Sequence, residues 1–221
     1  YDANVGLPRR IIELMSPSTL FVYISTDAVF DGSKQHWMEE DTPNPINVYG
    51  RTKLQGEQLV AVSTARHLIV RTNFYGWSSG RKESAGEWLY RALEQRKAIT
   101  LYDDYFFTAM YVVDLVYRLD YLMKSGKYGV FHLAGLDRVS KYSFAKFLAN
   151  AEGFSMENVK AGSIVDAKMF APRPRDISLD GKKFEQFSGL QSPSCLEGIS
   201  RFLKDRELSL SSRFRVGSLA V

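Results

Sequence analysis

Apolar residues along the chain fall into short continuous runs that alternate with stripes of helical period. Ile11, Leu14 and Met15 form a brief helical stripe that Pro17 and Ser18 break, and Leu20 to Ser25 then reads as a buried strand. Residues 31–48, rich in Pro, Asn, Asp and Gly, predict a loop, and a helix follows from about Tyr49 to Val62. His67 to Thr72 is a second apolar, β-branched strand. Past Tyr75, Gly76-Trp77-Ser78-Ser79-Gly80 predicts a flexible polar stretch, and a helix is expected over 84–96. Val112, Leu115, Val116, Leu119, Leu122 and Met123 make an i, i+3, i+4, i+7 stripe. Gly129 to Leu133 predicts another strand; Phe144, Phe147, Leu148 and Ala151 mark the next helix, and Leu196, Ile199 and Leu203 the last. From about Leu208 no period is visible, so 208–221 reads as a tail. Strands that are continuously apolar and separated by helices point to an α/β fold with a parallel sheet covered on both faces.

Composition narrows the class without changing the fold. Of 221 residues, 45% are hydrophobic and 24% charged, which supports a packed core. No apolar run approaches the ~18–20 residues of a membrane span, so no membrane partner is expected. A net charge of +4 is too diffuse to argue for nucleic acid, though it suits an anionic ligand. A single cysteine, Cys195, excludes an internal disulfide and fits a reducing compartment, so the expected location is the cytoplasm. With only His36, His67 and His132 besides, no metal site is expected.

The informative chemistry is Tyr49-Gly50-Arg51-Thr52-Lys53, a Tyr-x-x-x-Lys on an expected helix, where i and i+4 share a face. A phenol titrates near pH 10, and a neighbouring ammonium stabilises phenolate, bringing proton transfer to a carbonyl oxygen into range. Tyr142 and Lys146 carry the same spacing, but within a helix whose Phe144, Phe147 and Leu148 already face a core. Tyr49 instead follows Ser25-Thr26, a pair of hydroxyls at the carboxyl end of a strand, where ligands bind in doubly wound sheets. Arg173 and Arg175, flanking Pro174, could hold a diphosphate through forked bonds. Asp103-Asp104 reads most simply as a turn, the alternative being substrate contact from the adjoining aromatic run Tyr105-Phe106-Phe107.

Ser25-Thr26-Asp27-Ala28-Val29-Phe30-Asp31-Gly32 and Pro43-x-Pro45-x-Asn47-x-Tyr49-Gly50-x-Thr52-Lys53-x-x-Gly56-Glu57 resemble the extended short-chain dehydrogenase/reductases, in particular the dTDP-4-dehydrorhamnose reductase family. The likeness continues through Arg71-Thr72-Asn73-Phe74-Tyr75-Gly76, Thr108-Ala109-x-Tyr111-Val112-x-Asp114-Leu115, Gly129 to Gly135 and Arg173-Pro174-Arg175-Asp176. It implies NADPH- or NADH-dependent reduction of a nucleotide-linked 4-keto-6-deoxy sugar. Under it, Tyr49 is the general acid, Lys53 its partner and nicotinamide-ribose contact, and Thr26 the hydroxyl that orients the carbonyl. Asn73 then lines the cofactor side; Asp27, Phe74, Arg173 and Arg175 lie on the substrate side. Asn4 matches a family position below the site, or is an ordinary helix cap. Ala28 stands where the family usually carries an aromatic residue. The methionine adenosyltransferase regulatory β subunit resembles the same branch, which implies an alternative as a non-catalytic, partner-binding homologue; sugar-nucleotide epimerases are a third option. The chain is expected to associate with a second copy or a partner enzyme.

No Gly-x-Gly-x-x-Gly occurs anywhere in the sequence. The phosphate loop and its βαβ units are therefore expected to lie in about 80–100 residues ahead of Tyr1. The expected organisation is a carboxyl-side part of a doubly wound, Rossmann-like domain over 1–75, a small α/β substrate-binding domain over 76–207 with segments returning to the sheet, and the tail.

Overall fold

A computed structural model describes residues 1–78, 82–167 and 171–206; the expected tail and residues 79–80 of the polar stretch lie outside it. After a π-helical turn at Asp2–Gly6 come α1 (Leu7–Leu14), β1 (Phe21–Ile24), a 3-10 turn at Asp27–Val29, α2 (Val48–Ser63) and β2 (His67–Thr72). Then follow β3 (Phe74–Tyr75), α3 (Ala85–Glu94), β4 (Ile99–Tyr102), β5 (Phe106–Phe107), β6 (Met110–Tyr111) and α4 (Val112–Lys124). The remainder is β7 (Gly129–Leu133), β8 (Val139–Ser140), α5 (Lys141–Glu152), β9 (Val159–Gly162), α6 (Lys182–Ser188) and α7 (Cys195–Lys204).

The main sheet is parallel, ordered β1-β2-β7, with Val22 opposite Leu68 and Val70 opposite Phe131. Its continuous apolar runs serve two faces at once, because successive strand side chains alternate. Tyr23 and Ile69 pack with Val60 of α2 and Ile12 of α1, while Leu68, Val70, Phe131 and Leu133 pack with Leu115 and Leu122 of α4 and Phe184 of α6. This is the mixed α/β, parallel-sheet architecture expected from the strand pattern. Parallel β4-β9 and antiparallel β5-β8 flank a second, aromatic-rich cluster in which Tyr75, Tyr90, Tyr111, Phe144 and Phe202 meet. Among the described residues no helix is long and apolar enough to cross a membrane.

Helix starts follow local chemistry. Asn47 caps α2 by accepting the Gly50 N–H at 2.9 Å, Ser84 and Ser140 cap α3 and α5, and Ser194 with Glu197 closes a capping box on α7.

Three stripes differ from expectation. In α1, Leu14 and Ile11 are exposed and Ile12 supplies the contact, because only one face of this short helix meets α2. In α4, Val116 and Met123 are exposed, so the buried stripe narrows to Leu115 and Leu122 with Leu119 beside them. In α7, Leu196 is exposed and Cys195 and Phe202 take the core with Ile199. Two-residue strands such as β3, β5, β6 and β8 carry too few positions to show a period, and the sequence pattern does not predict them.

Candidate active site

The carboxyl ends of β1 and β2 open into a cavity of about 450 Å³ lined by Thr26, Asp27, Tyr49, Asn73, Phe74 and Arg173, with Ser25, Thr72, Tyr105 and Lys141 among its other walls. The Ser25 N–H donates to the Val70 carbonyl at 2.7 Å, extending the ladder one residue past β1. The chain then leaves the sheet at Thr26, whose Oγ1 accepts the Ala28 N–H at 3.2 Å to start the 3-10 turn. Helix α2 approaches that turn closely at Gly50. A Cβ there would lie inside 3.0 Å of the Ala28 carbonyl oxygen and Pro45, so only glycine lets the first turn of α2 lie against the strand end.

Asp27 is fully enclosed and holds its neighbours in place. Oδ1 accepts from Thr26 Oγ1 at 3.1 Å and Oδ2 from Asn73 Nδ2 at 2.6 Å. Burial pushes its carboxyl up to about 6, against the pull of those two bonds and of the Lys141 charge. Thr26 can orient a carbonyl only by turning its proton away from Asp27. The phenol ring of Tyr49 is half exposed at the rim of the cavity.

Lys53 sits below the lining. Its Nζ donates to the Ile24 carbonyl at 2.6 Å and lies 4.4 Å from the centroid of Tyr23. Burial lowers the ammonium's pKa, and Glu57 opposes the fall. Of the expected substrate residues, Arg173 lines the cavity but Arg175 does not; its guanidinium turns to Asp104, 3.6 Å away, and is largely exposed. Asp104 is more than a turn residue, since it also accepts from Ser163 at 2.6 Å and from the Ile164 N–H at 2.7 Å, tying two loops together. Asn4 caps nothing; it lies inside the π-helical turn and donates to Thr52 Oγ1 of α2 at 2.9 Å, beneath the site. Tyr142 belongs to the aromatic cluster away from the cavity.

Behind the cavity wall runs a buried polar chain that sequence reasoning missed. Ser25 Oγ donates to Glu57, which pairs with Arg71 through Nη2 at 2.8 Å and Nε at 3.1 and 3.2 Å. Arg71 Nη1 in turn reaches Nε2 of fully buried His132 at 3.5 Å, while Nδ1 of that ring faces the Trp37 carbonyl at 3.0 Å. Desolvation, with the Arg71 charge, holds the imidazole down at about 3 and hence neutral. One signal was available: Tyr49, Lys53 and Glu57 stand at i, i+4 and i+8 on one helix face. Tyr105 lines the cavity, as the aromatic run 105–107 allows, whereas for Lys141, drawn from a distant element, no comparable signal exists.

Residues 1–208 match the RmlD substrate binding domain family. A dTDP-4-dehydrorhamnose reductase of Sinorhizobium fredii is 30% identical over 194 residues, covering 82% of this chain and 64% of that protein. The methionine adenosyltransferase 2 subunit beta of Bos taurus is 31% identical over 221 residues, covering 93% of this chain and 64% of that protein. The chain thus spans just under two thirds of the length of these relatives. Among solved structures, a dTDP-4-dehydrorhamnose reductase from Bacillus anthracis in complex with NADP superposes with a TM-score of 0.85 at 29% identity, covering 91% of this chain and 72% of that one.

Proposed function

The chain belongs to the RmlD substrate binding domain family, and from that premise we propose that it carries the substrate-reducing site of an NAD(P)H-dependent oxidoreductase acting on a nucleotide-linked 4-keto-6-deoxy sugar. The observation that carries the reading is one cavity at the ends of β1 and β2 walled by Tyr49, Thr26, Asn73 and Arg173. The residues present suit the nicotinamide end of the cofactor. Thr72 Oγ1 is buried at the cavity wall without a hydrogen-bond partner among the described residues, and Lys53 has ammonium protons beyond the one given to Ile24. Tyr49, Lys53 and Asn73 would hold that end, and bound NAD(P)H would supply the hydride.

In this reading Thr26 turns its hydroxyl from Asp27 to the substrate carbonyl and Tyr49 donates the proton as the carbonyl oxygen gains charge. Lys53 stabilises the resulting phenolate from below. Phe74 and Asp27 flank the sugar, and Arg173 receives the diphosphate; Arg175 contributes by way of Asp104, holding the loop that carries Arg173. The single buried Cys195 favours work in the cytoplasm.

The test is NADPH oxidation with a dTDP-4-keto-6-deoxy sugar by wild type, Tyr49→Phe, Lys53→Met and the control Tyr142→Phe in the full-length protein, each with a matched melting temperature. Tyr49→Phe should lower the rate by ~10²–10⁴, the usual contribution of general acid catalysis, and Tyr142→Phe should leave it unchanged. Equal rates for wild type and Tyr49→Phe would sink the assignment. A second reading, a partner-binding homologue without turnover, is favoured by the 31% identity to the methionine adenosyltransferase 2 subunit beta. A folded, cofactor-bound wild type that turns over no keto-sugar would select it.

A further inference from the structure

No sequence pattern marks Lys141, yet its side chain lines two cavities at once. One is the 450 Å³ site; the other is an apolar cavity of about 180 Å³ walled by Phe74, Trp88, Leu101, Phe107 and Phe144. Lys141 opens α5 directly after its cap Ser140, so the backbone fixes where the stem starts. The ammonium lies 4.1 Å from the centroid of Phe107 and 5.5 Å from that of Tyr105, and among the described residues it donates no hydrogen bond. Those ring faces offset only part of its desolvation. Burial accordingly pulls its pKa below the ordinary lysine value, while Asp27 holds it up.

Among the described residues, the charged ones that line the larger cavity are Lys141, Arg173 and Asp27. Both Asp27 oxygens are already engaged, by Thr26 and by Asn73. Two cations against one carboxylate leave the described lining with a net positive charge, and the cavity favours an anion. Its position decides which anion. On one side of Lys141 is a pocket for a flat apolar ring; on the other are the hydroxyls of Thr26 and Tyr49, suited to a sugar. The group that joins a ring-bearing nucleoside to a sugar is a diphosphate.

We propose that Lys141 is a specificity-determining contact that, with Arg173, holds the phosphate oxygens of a nucleoside diphosphate at the junction of the two cavities. The inference rests on the nucleotide-sugar reading above and deepens it. Lys141 donates a charge-assisted bond to a phosphate oxygen and thereby separates phosphorylated from unphosphorylated nucleosides.

The experiment titrates dTDP, UDP and thymidine into wild type, Lys141→Met and Lys141→Arg of the full-length protein, by calorimetry for the diphosphates and by NMR for thymidine. Lys141→Met keeps the length of the stem and should weaken dTDP by about 10–100-fold while moving thymidine less than about twofold. The salt dependence of dTDP binding should flatten in the same variant, and Lys141→Arg should recover most of the affinity. Should Lys141→Met melt early, Lys141→Gln gives the same readout. Unchanged dTDP affinity, or equal losses for dTDP and thymidine, would overturn the assignment, the second outcome by showing a mere wall residue. A wild type that binds neither dTDP nor UDP would overturn the nucleotide-sugar reading and this contact with it, whereas tight wild-type binding indifferent to Lys141 overturns this contact alone.

Discussion

Replacing Glu57 by Gln should be among the most damaging conservative changes in this protein. The carboxylate and the Arg71 guanidinium have side chains only 4% and 5% exposed, so neither charge can recover its hydration when the other is lost. The substituted amide would put an N–H₂ group where one carboxylate oxygen now accepts from Ser25 or Arg71, setting donor against donor. The guanidinium would then remain buried beside a neutral imidazole and the ring of Phe30, 5.2 Å away, neither of which supplies a negative charge. Breaking a buried pair from one side costs about 3–5 kcal/mol, a large part of the roughly 5–15 kcal/mol that holds a domain together. Chemical denaturation at pH 7 measures it. The double variant Glu57→Gln/Arg71→Met removes both charges, so it should be at least about 2 kcal/mol more stable than the sum of the two single losses predicts. A Glu57→Gln loss under about 1 kcal/mol, or strict additivity in the double variant, would refute the reasoning, because it would mean that water reaches the pair. The same change frees Ser25 and with it the turn that carries Thr26. Under the proposed function, keto-sugar turnover should therefore fall even at temperatures where the variant stays folded.

Other expectations follow from the same geometry. His132 is held neutral with a pKa of about 3, below an unfolded value near 6.5. The unfolded chain therefore takes up a proton first as pH falls, and this group removes stability between about pH 6.5 and 3, at up to about 1.4 kcal/mol per unit. His132→Gln should flatten that slope, and equal slopes in denaturation series would count against it. Asp27, raised to about 6, acts in the opposite sense, binding its proton more readily when folded. The stability of Asp27→Asn relative to wild type should rise by about 2–3 kcal/mol from pH 4 to pH 7, and a pH-independent difference would be the contrary result. Gly56→Ala would bring a Cβ inside 3.0 Å of the Asn4 carbonyl and the Tyr23 ring, pushing α2 off the first turn. A loss of about 1–3 kcal/mol is expected, and a neutral Tm would contradict it.

Much of the fold was legible because its central elements bury one continuous patch each. His67–Thr72 and Gly129–Leu133 appear in the structure with the limits read from their apolar runs, and Tyr49 and Lys53 fall on the expected helix. A parallel strand covered on both faces is apolar at most positions, the buried Arg71 and His132 being paired exceptions here, and that requirement is local enough to read along the chain. Thr26 and Tyr49 were legible from the strand-end position of one, the Tyr-x-x-x-Lys spacing of the other and the family resemblance, and both line the cavity. The sequence could not decide where Lys53 points, that Arg175 turns to Asp104 while Arg173 faces the cavity, or that Val116 and Met123 of a clean stripe stay in solvent. Nor could it bring Lys141 beside Asp27, or close Ser25, Glu57, Arg71 and His132 into one buried chain. Those outcomes depend on residues far apart in the sequence, such as Asp27 and Lys141, 114 positions apart, coming to the wall of one cavity. A side chain's partner is set by the packing of whole elements, and periodicity carries no record of it.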